Sequence, residues 1–73
     1  MIKVAIVEDD GQFRKSLRRV IESRPDLTCI AEYPTGAEAI AGIPQNPPDV
    51  VLMDLNLPDS SGAEVTARLK SQL

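Results

Sequence analysis

Residues 3–21 read KVAIVEDDGQFRKSLRRVI, and this stretch decides the fold. Lys3-Val4-Ala5-Ile6-Val7 is short, β-branched and almost wholly apolar, the pattern of a strand covered on both faces. Glu8, Asp9 and Asp10 stop it at once. Phe13, Leu17, Val20 and Ile21 then recur at helical spacing as one apolar stripe, with Arg14, Lys15, Arg18 and Arg19 on the other side. Asp10 is placed to cap this helix, because a short acceptor there satisfies N–H groups that have no partner within the helix.

The same unit recurs downstream. Residues 27–33, LTCIAEY, predict a second strand ended by Pro34. Thr35-Gly36-Ala37-Glu38 has capping-box spacing and opens a short helix that Pro44 ends. Val50-Val51-Leu52-Met53 predicts a third strand closed by Asp54. A loop containing Pro58 and Asp59 follows, and Ser61-Gly62-Ala63-Glu64 repeats the capping box. Val65, Leu69 and Leu73 mark the apolar face of a third helix. The order βαβαβα argues for a parallel sheet with right-handed crossovers.

Seventy-three residues make at most one small domain, whose core supplies a net stability of roughly 3–5 kcal/mol. With 42% hydrophobic and 26% charged residues the composition is globular. One Phe, one Tyr and no Trp leave the core to aliphatic side chains, and a net charge of -3 argues against an overall nucleic-acid footprint. Cys29 is the single cysteine and no histidine is present, so an internal disulfide or a zinc site is excluded and a buried, inert thiol is expected. The N-terminus lacks the pattern of a signal peptide, and no apolar run approaches the ~18 residues of a membrane span. A soluble cytoplasmic protein is expected, without membrane contact.

Carboxylates directly follow two of the three strands: Glu8 and Asp9 after the first, Asp54 after the third. If those strands are neighbours, their acids meet at the carboxyl edge of the sheet, at the switch point where such folds bind ligands. Clustered carboxylates repel, and a hard divalent cation such as Mg²⁺ relieves the repulsion. An ionised aspartate beside such an ion can attack a phosphoryl donor and form an acyl phosphate. The alternative is that these acids merely solvate loops or cap helices.

Two motifs carry a family resemblance. KVAIVEDDGQFR (residues 3–14) resembles the opening of response-regulator receiver domains, where a paired acid follows the first strand. PDVVLMDLNLPDSSG (residues 48–62) is similar to their phosphorylation-site segment: an apolar strand, the acceptor Asp, a Pro four residues later and then a Gly. The segment RPDLTCIAEYPTGAEAI (residues 24–40) looks like the subgroup bearing a C-terminal helix-turn-helix of the LuxR kind. The resemblance covers essentially the whole chain.

It implies a flavodoxin-like, doubly wound parallel sheet, of which this chain supplies the N-terminal βαβαβα portion with strand order 2-1-3. It further implies Asp54 as the phosphoacceptor. Asp9 would be a direct Mg²⁺ ligand and Glu8 its partner, usually acting through a water. The Asn56 backbone carbonyl would complete the protein ligands, and the Asn56 side chain would face the site and tune phosphoryl lifetime. Asp10 and Asp59 fall outside this set.

The implied function is that of a non-enzymatic signalling domain, taking its phosphoryl group from a sensor histidine kinase, in a parent protein that regulates transcription. Against the family's five βα units, residues 1–73 form a partial receiver, truncated after the third helix. The fourth and fifth units, with the Ser/Thr and Lys they contribute, and a DNA-binding domain are absent from it. Lys3 and Lys70 do not replace that Lys. The third strand is expected to stand exposed at the sheet edge and to favour self-association, while DNA would be reached only through the absent C-terminal domain.

Two other readings compete. One is an interaction module that keeps the fold without efficient phosphotransfer. The other is a phosphohydrolase of the haloacid dehalogenase type, but its D-x-D motif wants an Asp where Asn56 stands. The basic face of the first helix fits kinase docking better than nucleic-acid binding, since the chain is net acidic.

Overall fold

The computed structural model describes residues 1–72. Leu73, expected on the apolar face of the third helix, lies outside the described residues. Three strands, β1 (Ile2–Val7), β2 (Leu27–Tyr33) and β3 (Val50–Met53), alternate with α1 (Gly11–Glu22), α2 (Gly36–Gly42) and α3 (Gly62–Gln72). The strands pair in parallel, as the alternation of periods predicts, and in the order β2-β1-β3 that the family resemblance implies.

β1 is central, and Val4, Ala5, Ile6 and Val7 are all buried. Because strand side chains alternate between faces, β1 serves two cores. Val4 and Ile6 pack with Ile21 of α1, joined by Leu17, Leu27 and Cys29. Val7 packs on the opposite face with Ala39, Ile43, Leu57, Val65 and Leu69. Full burial of an aliphatic side chain of this size stabilises by about 1.5–3 kcal/mol. At the foot of β3 the register is pinned by reciprocal bonds: Asp49 N–H donates to the Lys3 carbonyl and Lys3 N–H to the Asp49 carboxylate, both at 2.8 Å.

The pairing of β1 with β2 contains a bulge. Val4 faces Cys29 but Ala5 faces Ala31, so Ile30 is the extra residue. An extra residue shifts the alternation by one. Leu27 and Cys29 therefore point toward α1, and beyond the bulge Glu32 does so too, while Tyr33 turns to the α2 side.

Several expectations need correction. Phe13 and Val20 are 52% and 64% exposed; α1 packs on β1 and β2, so only Ile21 and Leu17 of its stripe reach the sheet. Arg14 and Arg18 are not free solvated charges, because the bulge brings Glu32 to both. Cys29 is only half-buried, and burial is the main reason its thiol titrates above the ordinary range. The second helix gives way to a 3₁₀ turn over Ile43–Gln45 that contains Pro44.

Candidate functional site

The sheet ladder continues one residue past β1. Glu8 N–H donates to the Tyr33 carbonyl at 3.0 Å, and Asp54 N–H donates to the Val7 carbonyl at 2.9 Å. These two bonds set Glu8 and Asp54 side by side at the carboxyl edge, with Asp9 next in the chain. One carboxylate oxygen from each of Glu8, Asp9 and Asp54 lies within 4.8 Å of the others. The three acids named from the sequence thus do converge.

Their environments differ. Glu8 is buried, at 9% exposure, whereas Asp9 is exposed and Asp54 is half-buried. Burial, together with the carboxyls of Asp9 and Asp54, pushes the Glu8 carboxyl above its ordinary value, although the Asp10 N–H on its Oε2 at 3.1 Å opposes this. Asp54 moves the other way. The Asn56 N–H donates to its Oδ1 at 3.1 Å, and this bond, ahead of hydrogen bonding with Glu8, holds it below the usual aspartate range. Two neighbouring carboxyls whose affinities for protons are driven apart divide the roles of acid and anion between them. Here Asp54 is the carboxyl that ionises more readily and Glu8 the one that holds its proton more tightly.

The surroundings hold this edge in place. Asp10 caps α1 as expected, its Oδ1 accepting from the N–H groups of Gln12 and Phe13 at 3.0 and 3.1 Å. Ser61 Oγ accepts from Glu64 N–H at 3.1 Å at the start of α3, and Thr35 Oγ1 from Glu38 N–H at 3.1 Å at the start of α2. Gly62 is required by close approach, since a Cβ there would stand 2.2 Å from the Asp54 carbonyl oxygen. Asn56 forms an antiparallel bridge to Ser61, and Gly62 N–H donates to the Leu55 carbonyl, so the 54–62 loop closes on itself.

Two participants were not singled out by sequence reasoning. Arg14 Nη1 donates to the Glu8 backbone carbonyl at 2.7 Å while its Nε lies 3.3 Å from Glu32. Asp59 accepts from the N–H groups of Gly36 and Ala37, both at 2.9 Å. Neither side chain lies in the acidic pocket, and both tie its loops to the scaffold. Lys70 lines an open cleft of about 240 Å³ beside Asp49, at the end of β3 away from Asp54.

The donor set suits a hard cation: three carboxylates in a small volume, one of them, Glu8, held above its ordinary proton affinity chiefly by burial and then by its acidic neighbours. Thiol and imidazole ligands play no part.

Residues 4–73 match the response regulator receiver domain family. The transcriptional regulatory protein UhpA of Escherichia coli is 36% identical over 69 residues, which span 94% of this chain and 35% of the regulator. A protein-glutamate methylesterase/protein-glutamine glutaminase of Nitrosospira multiformis is 41% identical over 66 residues, 90% of this chain and 19% of that protein. Among solved structures, a two-component response regulator of the LuxR family from Aurantimonas superposes with a TM-score of 0.94 at 33% identity, covering 99% of this chain and 51% of that one. The chain belongs to the response-regulator receiver family. It spans about a third of the length of the regulator and a fifth or less of the methylesterase.

Proposed function

We propose that this chain is the phosphoacceptor part of a two-component response regulator, with Asp54 receiving the phosphoryl group. The observation that carries this reading is the meeting of Glu8, Asp9 and Asp54, with Asp54 the carboxylate held in its ionised, nucleophilic form. An Asp54 carboxylate oxygen attacks the phosphorus of a phosphohistidine. A P–O bond forms as the P–N bond breaks, and the leaving imidazole takes up a proton from solvent, leaving an acyl phosphate on Asp54.

Glu8, Asp9, Asp54 and the Asn56 carbonyl would hold Mg²⁺. The ion supplies charge neutralisation for the phosphoryl oxygens. Asp54 supplies the nucleophile, Asn56 N–H orients it, and the Asn56 side chain tunes the lifetime of the product. Catalysis of the transfer needs groups from the family's fourth and fifth units, so residues 1–73 act as a partial domain and not as an enzyme in their own right.

The donor in this reading is a sensor histidine kinase in the cytoplasm. The output is transcriptional, through a DNA-binding domain outside residues 1–73, as the regulator relatives suggest. Lys15 and Arg19, which line a polar surface groove on α1 with Gln12 and Ser16, are the cations left for kinase docking once Arg14 and Arg18 are paired. Labelling with radioactive acetyl phosphate tests the assignment. Label is expected on the wild-type protein with Mg²⁺, weakly if these 73 residues act alone, and none on Asp54→Asn. Undiminished label on that variant would show that another residue accepts the group.

A further inference from the structure

Loop 54–62 carries two of the groups assigned to the cation, Asp54 and the Asn56 carbonyl, and its anchors are unequal. Its base is tied by the bridge between Asn56 and Ser61 and by the bond from Gly62 N–H to the Leu55 carbonyl. Leu57 is buried in the core beneath it. Its far side, at Asp59, is fastened to an element 22 to 23 residues earlier in the chain. Each Asp59 oxygen takes one backbone N–H, Oδ1 from Gly36 and Oδ2 from Ala37, both at 2.9 Å. With Thr35 Oγ1 on Glu38 N–H, the first three N–H groups of α2 all end on side chains.

The seat is close-fitting. A Cβ at Gly36 would lie 2.3 Å from Ser60 Oγ, 2.8 Å from Val65 Cγ2 and 3.1 Å from Asp59 Oδ1. A bidentate grip of this kind fixes direction as well as distance. The rest of α2 does not need it, since Ala39 and Ile43 anchor that helix in the core.

We propose that Asp59 is a positioning residue for the cation site, gripping the start of α2 so that Asp54 and the Asn56 carbonyl stand where Glu8 and Asp9 can share an ion with them. The inference rests on the Mg²⁺ reading given above and extends it to a side chain that touches neither ion nor phosphate. Residues that hold metal ligands in place typically change metal affinity by roughly 10–100-fold when removed.

Mg²⁺ titration of the ¹⁵N-labelled protein, followed at the amides of Asp9 and Asn56, tests it. Asp59→Ala is expected to weaken Mg²⁺ roughly tenfold, at the lower end of that range. Asp59→Asn, which keeps one acceptor oxygen, should fall between it and wild type. Thr35→Ala removes the adjacent cap in the same helical turn without touching the loop, so it should lower the melting temperature and leave the Mg²⁺ midpoint within about twofold, as its remoteness from the ligands implies. Unchanged affinity in Asp59→Ala, or equal weakening in Asp59→Ala and Thr35→Ala, overturns the inference. If Asp59→Ala does not fold, Asp59→Asn carries the comparison, and a wild-type midpoint there overturns it equally. A wild-type protein without Mg²⁺ shifts would defeat the metal reading itself and this inference with it, a result distinct from failure in the variants alone.

Discussion

Arg14 reaches back over the first turn of α1 and donates to the backbone carbonyl of Glu8 at 2.7 Å. The same guanidinium pairs with Glu32 on β2 at 3.3 Å, so one side chain joins the helix, the neighbouring strand and the loop that presents the acids. Arg14→Met keeps the stem and removes the donors. It leaves a part-buried carbonyl without its partner, and a loss of about 1.5–3 kcal/mol is expected for a charge-assisted bond of this kind. Urea denaturation measures it. A midpoint equal to wild type would show that water replaces the guanidinium without cost.

Gly62 permits the contact between the start of α3 and the acceptor residue. A Cβ there would meet the Asp54 carbonyl oxygen at 2.2 Å, and that oxygen is backbone with little freedom to yield. Gly62→Ala should therefore destabilise by about 1–3 kcal/mol, the usual range for overpacking, and displace the Asp54 and Asn56 amide resonances. Thermal melts with a ¹H–¹⁵N spectrum decide the matter; an unchanged spectrum would contradict the close approach.

Proton linkage runs in opposite directions at two acids. Asp59 is held below the usual range, chiefly by the Ala37 and then the Gly36 N–H. Its contribution to stability is thus present above the ordinary Asp value and lost as pH falls through the lowered one. Glu8 is raised, so the folded state holds its proton more tightly than the unfolded chain, and ionising it as pH rises through the raised value costs stability. Mg²⁺ needs Glu8 ionised, so adding the salt at a pH just above the ordinary Glu value should release protons, measurable as a pH drop in weak buffer. No release there would argue that Glu8 is already ionised without the metal.

Among the described residues β3 is an edge strand of the sheet. Val50 and Leu52 on its α1-side face are 44% and 37% exposed, and the cleft lined by Val51, Met53 and Leu69 opens on the other. Unpaired backbone beside apolar side chains favours pairing with a second strand. For residues 1–73 alone, sedimentation velocity at micromolar concentration should show mass rising with concentration, and Leu52→Lys should suppress the rise. A well-folded monomer at every concentration would refute this.

Strand limits and the acids at the strand ends were legible because each depends on local pattern, whereas the strand order, and with it the meeting of the acids, was legible only through the family resemblance. Val4 to Val7 is apolar enough for a central strand, and acids at strand ends mark a carboxyl edge. What could not be read depends on contacts between distant residues. Asp59 looks like an ordinary loop acid until α2 is placed against it, and the basic residues of α1 look alike until Glu32 selects Arg14 and Arg18. Phe13 and Val20 fit the helical stripe by spacing, yet a stripe does not state how much of it the neighbouring strands cover.

The extra residue in β2 has a consequence for how this chain can vary. Deleting Ile30 would close the bulge without moving any side chain across the sheet, because Cys29 and Ala31 already face opposite sides. A strand that kept Ile30 but paired without the bulge would instead turn every side chain beyond it to the other face. Tyr33, whose ring lies against Gly42, would swing toward α1. Glu32 would be carried into the aliphatic layer under α2, far from either arginine. The acidic loop would then lose a support through a change that touches none of its own residues. At this point in the chain it is the pairing, more than the count of residues, that must be kept.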